Sequence, residues 1–382
     1  MTHQDRVVPL GQPTVGQAEL DAIRDVFDSG WLAGAGPTCR QFETELAAAC
    51  GTAHALATAN CGSALHLALQ VLDAGPGQEV IVADYTFPAT GHAVAWTGAT
   101  PVFADILPGS WCVDPAAVTA AITPRTAGII AVDAFGQPAG YAELADIAAA
   151  HGLWLIEDAA CSVGATYQGR PAGSFGDIAA VSFHGRKGIT AGEGGALLTD
   201  NPEWAARARR LHTYGTEPAI SREGATGLPI PHFAEIGRNY RMSDVAAAIM
   251  RVQLTRLPDL LAARNQTAAH YRELLGDVPE IDLPNVIGGR THSWQSYVPT
   301  MAPHIDRDAV AAQLRAEGVQ CNFGTYASHL LPVYESASRC PVSADVFARH
   351  LAIPMHANLT ASQVERVAAT LRAAVTNPAN RR

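Results

Sequence analysis

Lysine is almost missing from this chain. Of 26 Lys and Arg residues, 25 are Arg and one is Lys, at position 187. Arg stays protonated and is a poor nucleophile, whereas a Lys ammonium can lose its proton and attack a carbonyl. Position 187 therefore marks a place where an amine is required; a stray surface lysine is the bland alternative. The seven cysteines include no C-x-x-C pair and are scattered. That argues against a disulfide framework or a zinc site and for a reducing cytoplasm. The fourteen histidines form no H-x-x-x-H pair beside a carboxylate, so no metal is indicated. No run of roughly 18 apolar residues occurs, so no membrane span is expected. The polar stretch Met1–Asp5, with no apolar segment behind it, is not expected to be a signal peptide. The formal charge is -10, with no basic cluster, which excludes the usual electrostatic footprint for nucleic acid.

What is present is a long chain with a large core. Its 382 residues are 48% hydrophobic and 16% charged, enough for two globular domains or one with an appendage. Short apolar runs alternate with helical spacing. Strands are expected at 54–58, 79–83, 101–104, 127–132, 153–156, 178–183 and 196–198. Helices are expected at 16–28, 39–50, 62–72, 88–96, 114–122, 141–151 and 243–261. Such alternation indicates βαβ units in an α/β fold with a mostly parallel sheet. Further on, 291–300, 307–317 and 318–324 read as strand, helix and strand of a smaller unit, closed by a helix at 361–375. The Gly-rich segment Gly30–Pro37 reads as a loop, either a connector or the border of a site.

In parallel sheets, ligands sit beyond the carboxyl ends of the strands, so the residues there carry the most information. After 54–58 comes Asn60-Cys61-Gly62-Ser63, a small-residue turn opening a helix. It is either a phosphate cradle of amides and a hydroxyl, or an ordinary N-cap. After 79–83 comes Asp84-Tyr85-Thr86-Phe87, whose Phe either stacks on a flat ring or joins the core. After 153–156 comes Glu157-Asp158. A carboxylate at a buried strand end needs a partner, either a protonated ring nitrogen or a structural cap or ion pair. Ser182 stands five residues before Lys187 and can offer a hydroxyl to a phosphate. Together these pieces ask for a phosphate, a flat ring, a ring nitrogen seeking an anion, and a carbonyl. Pyridoxal phosphate (PLP) has all four.

The chain resembles the DegT/StrS family of sugar aminotransferases, within the aspartate-aminotransferase-like PLP enzymes. The similarity runs from Gly30-Trp31-Leu32 to Pro354-Met355-His356. It rests on Tyr85-Thr86-Phe87, Ala99-Thr100-Pro101-Val102-Phe103, Ile122-Thr123-Pro124-Arg125-Thr126, Gly136-Gln137-Pro138, Ile156-Glu157-Asp158-Ala159-Ala160, Gly173-Ser174-Phe175-Gly176-Asp177, Ser182-Phe183-His184, Gly192-Glu193-Gly194-Gly195 and Asn239-Tyr240-Arg241-Met242. The resemblance implies a mixed, mostly parallel seven-stranded sheet flanked by helices in a large PLP-binding domain at 1–250. A smaller α+β domain at 251–382 would follow.

It also implies roles. Lys187 would hold PLP as a Schiff base and then move a proton. Asp158 would pair with the pyridinium nitrogen, and Phe87 would stack on the ring. Gly62 and Ser63 amides, with the Ser182 hydroxyl, would bind phosphate. Asn239 of the partner subunit or Arg241 of the partner subunit would reach the same phosphate, which implies a homodimer with shared sites. Tyr326 and His329 would border the sugar pocket. The donor would be glutamate or glutamine and the acceptor a keto-sugar, nucleotide-linked. A lysine of lowered pKa suits this work.

The chain departs from the family pattern at Gly62 (often Thr) and at Cys161 (usually Gln or His, near the cofactor's phenolic oxygen). It departs again around Gly185–Gly188 and in the Asn322–His329 pocket. These changes suit a subfamily with its own substrate. Two rival readings are an acceptor that is a keto-cyclitol or other non-nucleotide ketone, and a PLP-binding regulatory protein without turnover. Retention of the sole lysine argues against the latter, and against the family's dehydratases, in which His typically replaces it.

Overall fold

A computed structural model describes residues 7–217 and 230–382; the Met1–Asp5 stretch lies outside them. Seven strands form one sheet: β1 (His54–Thr58), β2 (Glu79–Ala83), β3 (Thr100–Ala104), β4 (Thr126–Val132), β5 (Trp154–Asp158), β6 (Ile178–Ser182) and β7 (Gly195–Thr199). Their order is β1-β7-β6-β5-β4-β2-β3. Neighbouring strands from β6 to β3 pair in parallel, and β7 runs antiparallel to both β6 and β1. Strands β2, β6 and β7 are buried along their whole length, and β4 and β5 along all but their first one or two residues, as a sheet covered on both faces requires.

One core layer packs Leu65, Leu69, Val94 and Leu211 against the sheet, and the opposite layer packs Val118, Leu144 and Phe175. A further core gathers residues 268–375, with Tyr271, Trp294, Tyr297, Leu314 and Leu371 at its centre. The 32-residue helix Asp244–Leu275 passes from one core to the other. The division expected at 250/251 falls inside this helix.

The smaller unit differs from expectation at two places. Residues 291–299 do not form a continuous strand: Tyr297 makes a single bridge to Ile353, and the ladder shrinks to Thr300–Met301, paired with Ile281–Asp282. Their polar groups bond to loops instead: Ser293 N–H donates to Gly136 O, and the Ser293 hydroxyl donates to Cys161 O at 2.6 Å. The strand expected at 318–324 shrinks to Asn322–Phe323.

Since all strands but β7 point the same way, their carboxyl ends share one edge of the sheet. β7 starts at that edge. Its first residue, Gly195, pairs with Thr58 on one side and Ser182 on the other. A Cβ at Gly195 would stand 2.5 Å from backbone atoms of both Asn60 and Cys61, closer than atoms pack without displacement. Gly195→Ala is therefore expected to push the turn at Asn60 away from β7 and to cost about 1–3 kcal/mol of stability. Urea unfolding measures this; an unchanged midpoint would mean that the turn gives way freely.

Candidate active site

Asp158 ends β5, and only 4% of it is exposed. Thr90 Oγ1 donates to its Oδ2 at 2.8 Å, and Ala160 N–H donates to its Oδ1 at 3.2 Å. The Thr86 hydroxyl is 3.0 Å from that of Thr90. Burial pushes the Asp158 carboxyl up, while Thr90, the Ala160 amide and the charge of Lys187 draw it back. Both hydrogen-bond donors are neutral, and among the described residues no cation forms an ion pair with this carboxylate; Lys187 acts on it only through its charge.

After Ser182 the chain turns through 184–192 and presents Lys187. The long helix grips this turn from behind. Arg264 Nη2 donates to Lys187 O at 3.3 Å, and Gln253 Oε1 accepts from Thr190 N–H at 3.2 Å. The Lys187 amine lies 3.1 Å from Cys161 Sγ. The lowered pKa expected for this lysine is corrected by its surroundings. Burial pulls the ammonium down, but Cys161, Cys61 and Asp158 together outweigh burial and leave it raised.

The Asn60 turn sits one strand-width from Ser182, because Thr58, Gly195 and Ser182 lie in register across three strands. Asn60 caps the helix Cys61–Val71: its side chain accepts from Ser63 N–H at 2.8 Å. The Ser63 amide is thus engaged in the N-cap. Gly62 stands at the helix start, where amides lack helical partners, and Ser182, two strands away in the same register as Thr58, is buried. Arg241 forms a single antiparallel bridge to Thr58, and Ala59 N–H donates to Tyr240 O at 2.7 Å. The Asn239–Arg241 segment therefore continues the sheet past β1, within the same chain. Arg241 Nε donates to Asn239 Oδ1 at 3.0 Å. Gly34 belongs to the Gly-rich loop; a Cβ there would meet Met242 O at 2.3 Å, so the loop backs directly onto this segment.

Phe87 is 64% exposed and does not join the core. Its ring meets the edge of Tyr326, centroids 6.1 Å apart. Tyr326–Ala327 pairs antiparallel with Tyr85–Thr86, which carries the C-terminal segment to the site. Three residues on, His329 binds the fully buried Asp84.

The structure thus gathers Lys187, Asp158 and Cys161 in one group, Gly62, Ser63, Ser182 and Arg241 in a second, and Phe87, Tyr326 and His329 in a third. Sequence reasoning missed Thr90, Cys61 and the role of Asp84. Thr86 and Thr90 stand four apart after a strand, and Asp84 ends an apolar run as Asp158 does; both signals were available.

The donor set suits one ligand type. A lysine amine is held on a fixed loop beside a thiol, a buried carboxylate has only neutral hydrogen-bond donors, and a helix N-terminus and a buried hydroxyl lie at the same sheet edge. An exposed aromatic ring stands at the rim. Those groups fit PLP.

A family model described as the DegT/DnrJ/EryC1/StrS aminotransferase family matches residues 13–372. The chain is 36% identical over 375 residues to dTDP-4-dehydro-2,3,6-trideoxy-D-glucose 4-aminotransferase of Saccharopolyspora spinosa, covering 97% of each. It is 35% identical to the GDP-perosamine synthase of Caulobacter vibrioides, covering 95% of this chain and 97% of that one. Its fold is similar to the crystal structure of the aminotransferase TlmJ from Streptoalloteichus hindustanus, with TM-score 0.91, 33% identity, and 97% and 99% of the two chains covered.

The carboxylate generates a prediction. Folded Asp158 holds its proton more tightly than an unfolded one, whose pKa is near 3.8. Above that value the folded state carries more protons, so this group's contribution to stability falls as pH rises through the folded pKa. In cofactor-free protein at neutral pH, Asp158→Asn is expected to be at least as stable as the native chain, with a flatter pH dependence. Urea unfolding across pH tests this. A loss above about 2 kcal/mol would mean that the bonds from Thr90 and Ala160 matter more than the buried charge.

Proposed function

Because the chain belongs to the DegT/DnrJ/EryC1/StrS aminotransferase family, a family of PLP-dependent enzymes, we propose that it moves an amino group from glutamate or glutamine to a nucleotide-linked keto-sugar. The observation that carries this reading is the meeting of its only lysine, a buried cation-seeking carboxylate and an anion-binding turn at one sheet edge. The two relatives above are named for dTDP- and GDP-linked sugars, which supports a nucleotide-linked acceptor.

When bound, PLP supplies an aldehyde that holds the amino group in transit and a ring that takes up electrons from the reacting carbon. Lys187 is the amine that would hold that aldehyde as a Schiff base. Once displaced, it is the group placed to take a proton from one carbon and return it to another. Asp158 would face the ring nitrogen and keep its proton in place. Phe87 would cover a ring face. The Gly62 amide and Ser182 hydroxyl would bind the phosphate, with the Ser63 amide shared between Asn60 and the ligand. Cys161 would stand beside the amine, where the family usually has Gln or His; a thiol is the weaker hydrogen-bond partner. Tyr326 and His329 would border the acceptor.

The enzyme would act as a homodimer. Trp31, Tyr214, Phe233 and Ile236 are large and exposed; Tyr214 and Trp31 lie close in sequence to Thr213 and Gly34, which adjoin the Asn239–Met242 segment, and Phe233 and Ile236 precede it. Apolar exposure of this kind marks an interface. Asn239 of the partner subunit or Arg241 of the partner subunit would then complete the phosphate site. Among the described residues no helix is long and apolar enough to cross a membrane. All seven cysteines are unpaired, which suits a cytoplasmic enzyme.

The visible spectrum tests the reading. The protein with bound PLP is expected to absorb as a yellow band that bleaches with L-glutamate or L-glutamine and returns with a dTDP- or GDP-linked keto-sugar. Return only with a keto-cyclitol would move the acceptor to the non-nucleotide class; a band that ignores both donors would refute the donor assignment. Lys187→Ala is expected to lose multiple turnover altogether, a drop of at least about a thousandfold. Normal turnover in that variant would end the role given to Lys187.

A further inference from the structure

Cys61 and Cys161 are half-buried, and the other cysteines are buried. Four of the buried thiols spend their proton on a backbone carbonyl: Cys39 on Met242 O, Cys112 on Gln137 O, Cys321 on Ala311 O and Cys340 on Phe103 O. The Cys161 sulfur does the reverse. It accepts from the Lys187 amine at 3.1 Å. Reactive cysteines occupy such partly open places beside a cation. Transfer of an amino group makes no use of a nucleophilic sulfur there.

Both ends of the pair are held. The Cys161 carbonyl accepts from the Ser293 hydroxyl at 2.6 Å. Arg264 and Gln253 hold the loop that carries Lys187. The backbone is thus pinned on both sides, and the flexible four-carbon stem of the lysine is left to close the gap between nitrogen and sulfur.

We propose that Cys161 and Lys187 form an oxidative modification site, in which a hydroperoxide converts the thiol to a sulfenic acid and the lysine amine captures that sulfur. In the first step the peroxide O–O bond breaks. One oxygen joins the Cys161 sulfur, and the other leaves as water with the thiol proton. The sulfur loses two electrons and the peroxide gains them. In the second step Lys187 Nζ attacks the sulfur, as backbone nitrogens do with sulfenic acids. An S–N bond forms, the S–O bond breaks, and the hydroxyl departs as water with one amine proton. No further oxidant is consumed, and the product is a sulfenamide linking the two side chains.

The surroundings favour the second step. Burial pulls the Lys187 ammonium down, and Cys161 is the largest of the groups that hold it up. A neutral sulfenic acid no longer supplies that negative charge, so burial weighs toward the neutral, attacking amine. The bond then occupies the chain's only lysine until a thiol reductant restores both side chains. It also shields the sulfur from the irreversible sulfinic and sulfonic states. Protection by PLP rests on the Schiff-base reading above; the bond itself does not.

The full-length protein, with and without bound PLP, is treated with hydrogen peroxide, and its peptides are mapped by mass spectrometry. Without PLP, the expected product joins the Cys161 and Lys187 peptides with a loss of two hydrogens. PLP uptake falls in proportion to that product, and dithiothreitol reverses both. With PLP on Lys187 the product is expected to drop about tenfold or more. In Cys161→Ser the same treatment is expected to leave that variant's PLP uptake unchanged. Cys161 oxidised to sulfinic acid with no joined peptides overturns the inference, as does a two-hydrogen loss that maps to a Cys61–Cys161 disulfide. Equal linkage with and without PLP supports the inference and overturns the Schiff-base role of Lys187. No linkage in a protein that shows the yellow PLP band overturns this inference alone.

Discussion

A buried carboxylate with no close cation governs the centre of this molecule. Asp158 is 4% exposed and rests on a threonine hydroxyl and a backbone amide. Taking a charge out of water is costly unless an opposite charge or several hydrogen bonds replace the water. The surroundings supply the second in part and leave the first open. That choice fixes much else. Thr90 must sit on the helix that follows Phe87, so the aromatic rim and the carboxylate move as one piece. The neighbouring Glu157 is buried too; it accepts from Gly173 N–H and Phe175 N–H, each at 2.7 Å, while burial and the charge of Asp133 push its carboxyl well up. Of two adjacent acids on one strand, Glu157 thus ties down the loop at Gly173–Phe175, and Asp158 ties the strand end to Thr90 and the turn at Ala160.

The second constraint is backbone proximity. Loops joining parallel strands leave amides and hydroxyls at one edge, but a cradle needs them within a few ångströms. Here β7, running against its neighbours, begins at that edge, and the missing side chain of Gly195 lets the Asn60 turn lie on it. Behind the site, Arg264 and Gln253 hold the lysine loop from a helix shared with the second core. The loop that carries the Lys187 amine is thus tied to a helix shared by both cores.

All seven strands of the sheet could be read from the sequence because buried parallel strands appear as short apolar runs between turn residues. Lys187, Asp158 and Ser182 were legible for a related reason: each follows such a run. The helix Asp244–Leu275 was read too short, since buried Arg264 and Thr267 interrupt its apolar face. The helix Pro202–Leu211 was passed over although Asn201 caps it and Pro202 stands at its first turn. Residues 291–299 alternate like a strand, yet Ser293 spends its polar groups on the loops at Gly136 and Cys161, and only a single bridge, Tyr297 to Ile353, remains. The Asp84–His329 pair spans 245 positions; only the topology, not any local pattern, brings its members together.

Cys161 ties these strands of argument together. Its sulfur is the nearest polar partner of the only lysine amine, and with Cys61 and Asp158 it holds that amine's pKa up against the pull of burial. An amine must be neutral to attack a carbonyl. Of the groups holding the proton, Asp158 is the one that a cationic ring nitrogen would claim. Once that carboxylate's field is matched by a cation, less of it reaches Lys187, and burial weighs more heavily in favour of the neutral amine. Asp158 is the weakest of these holds on the proton, after Cys161 and Cys61, so a cation beside it would loosen the amine only in part. The raised pKa of Lys187 thus follows from its neighbours, which together outweigh the pull of burial.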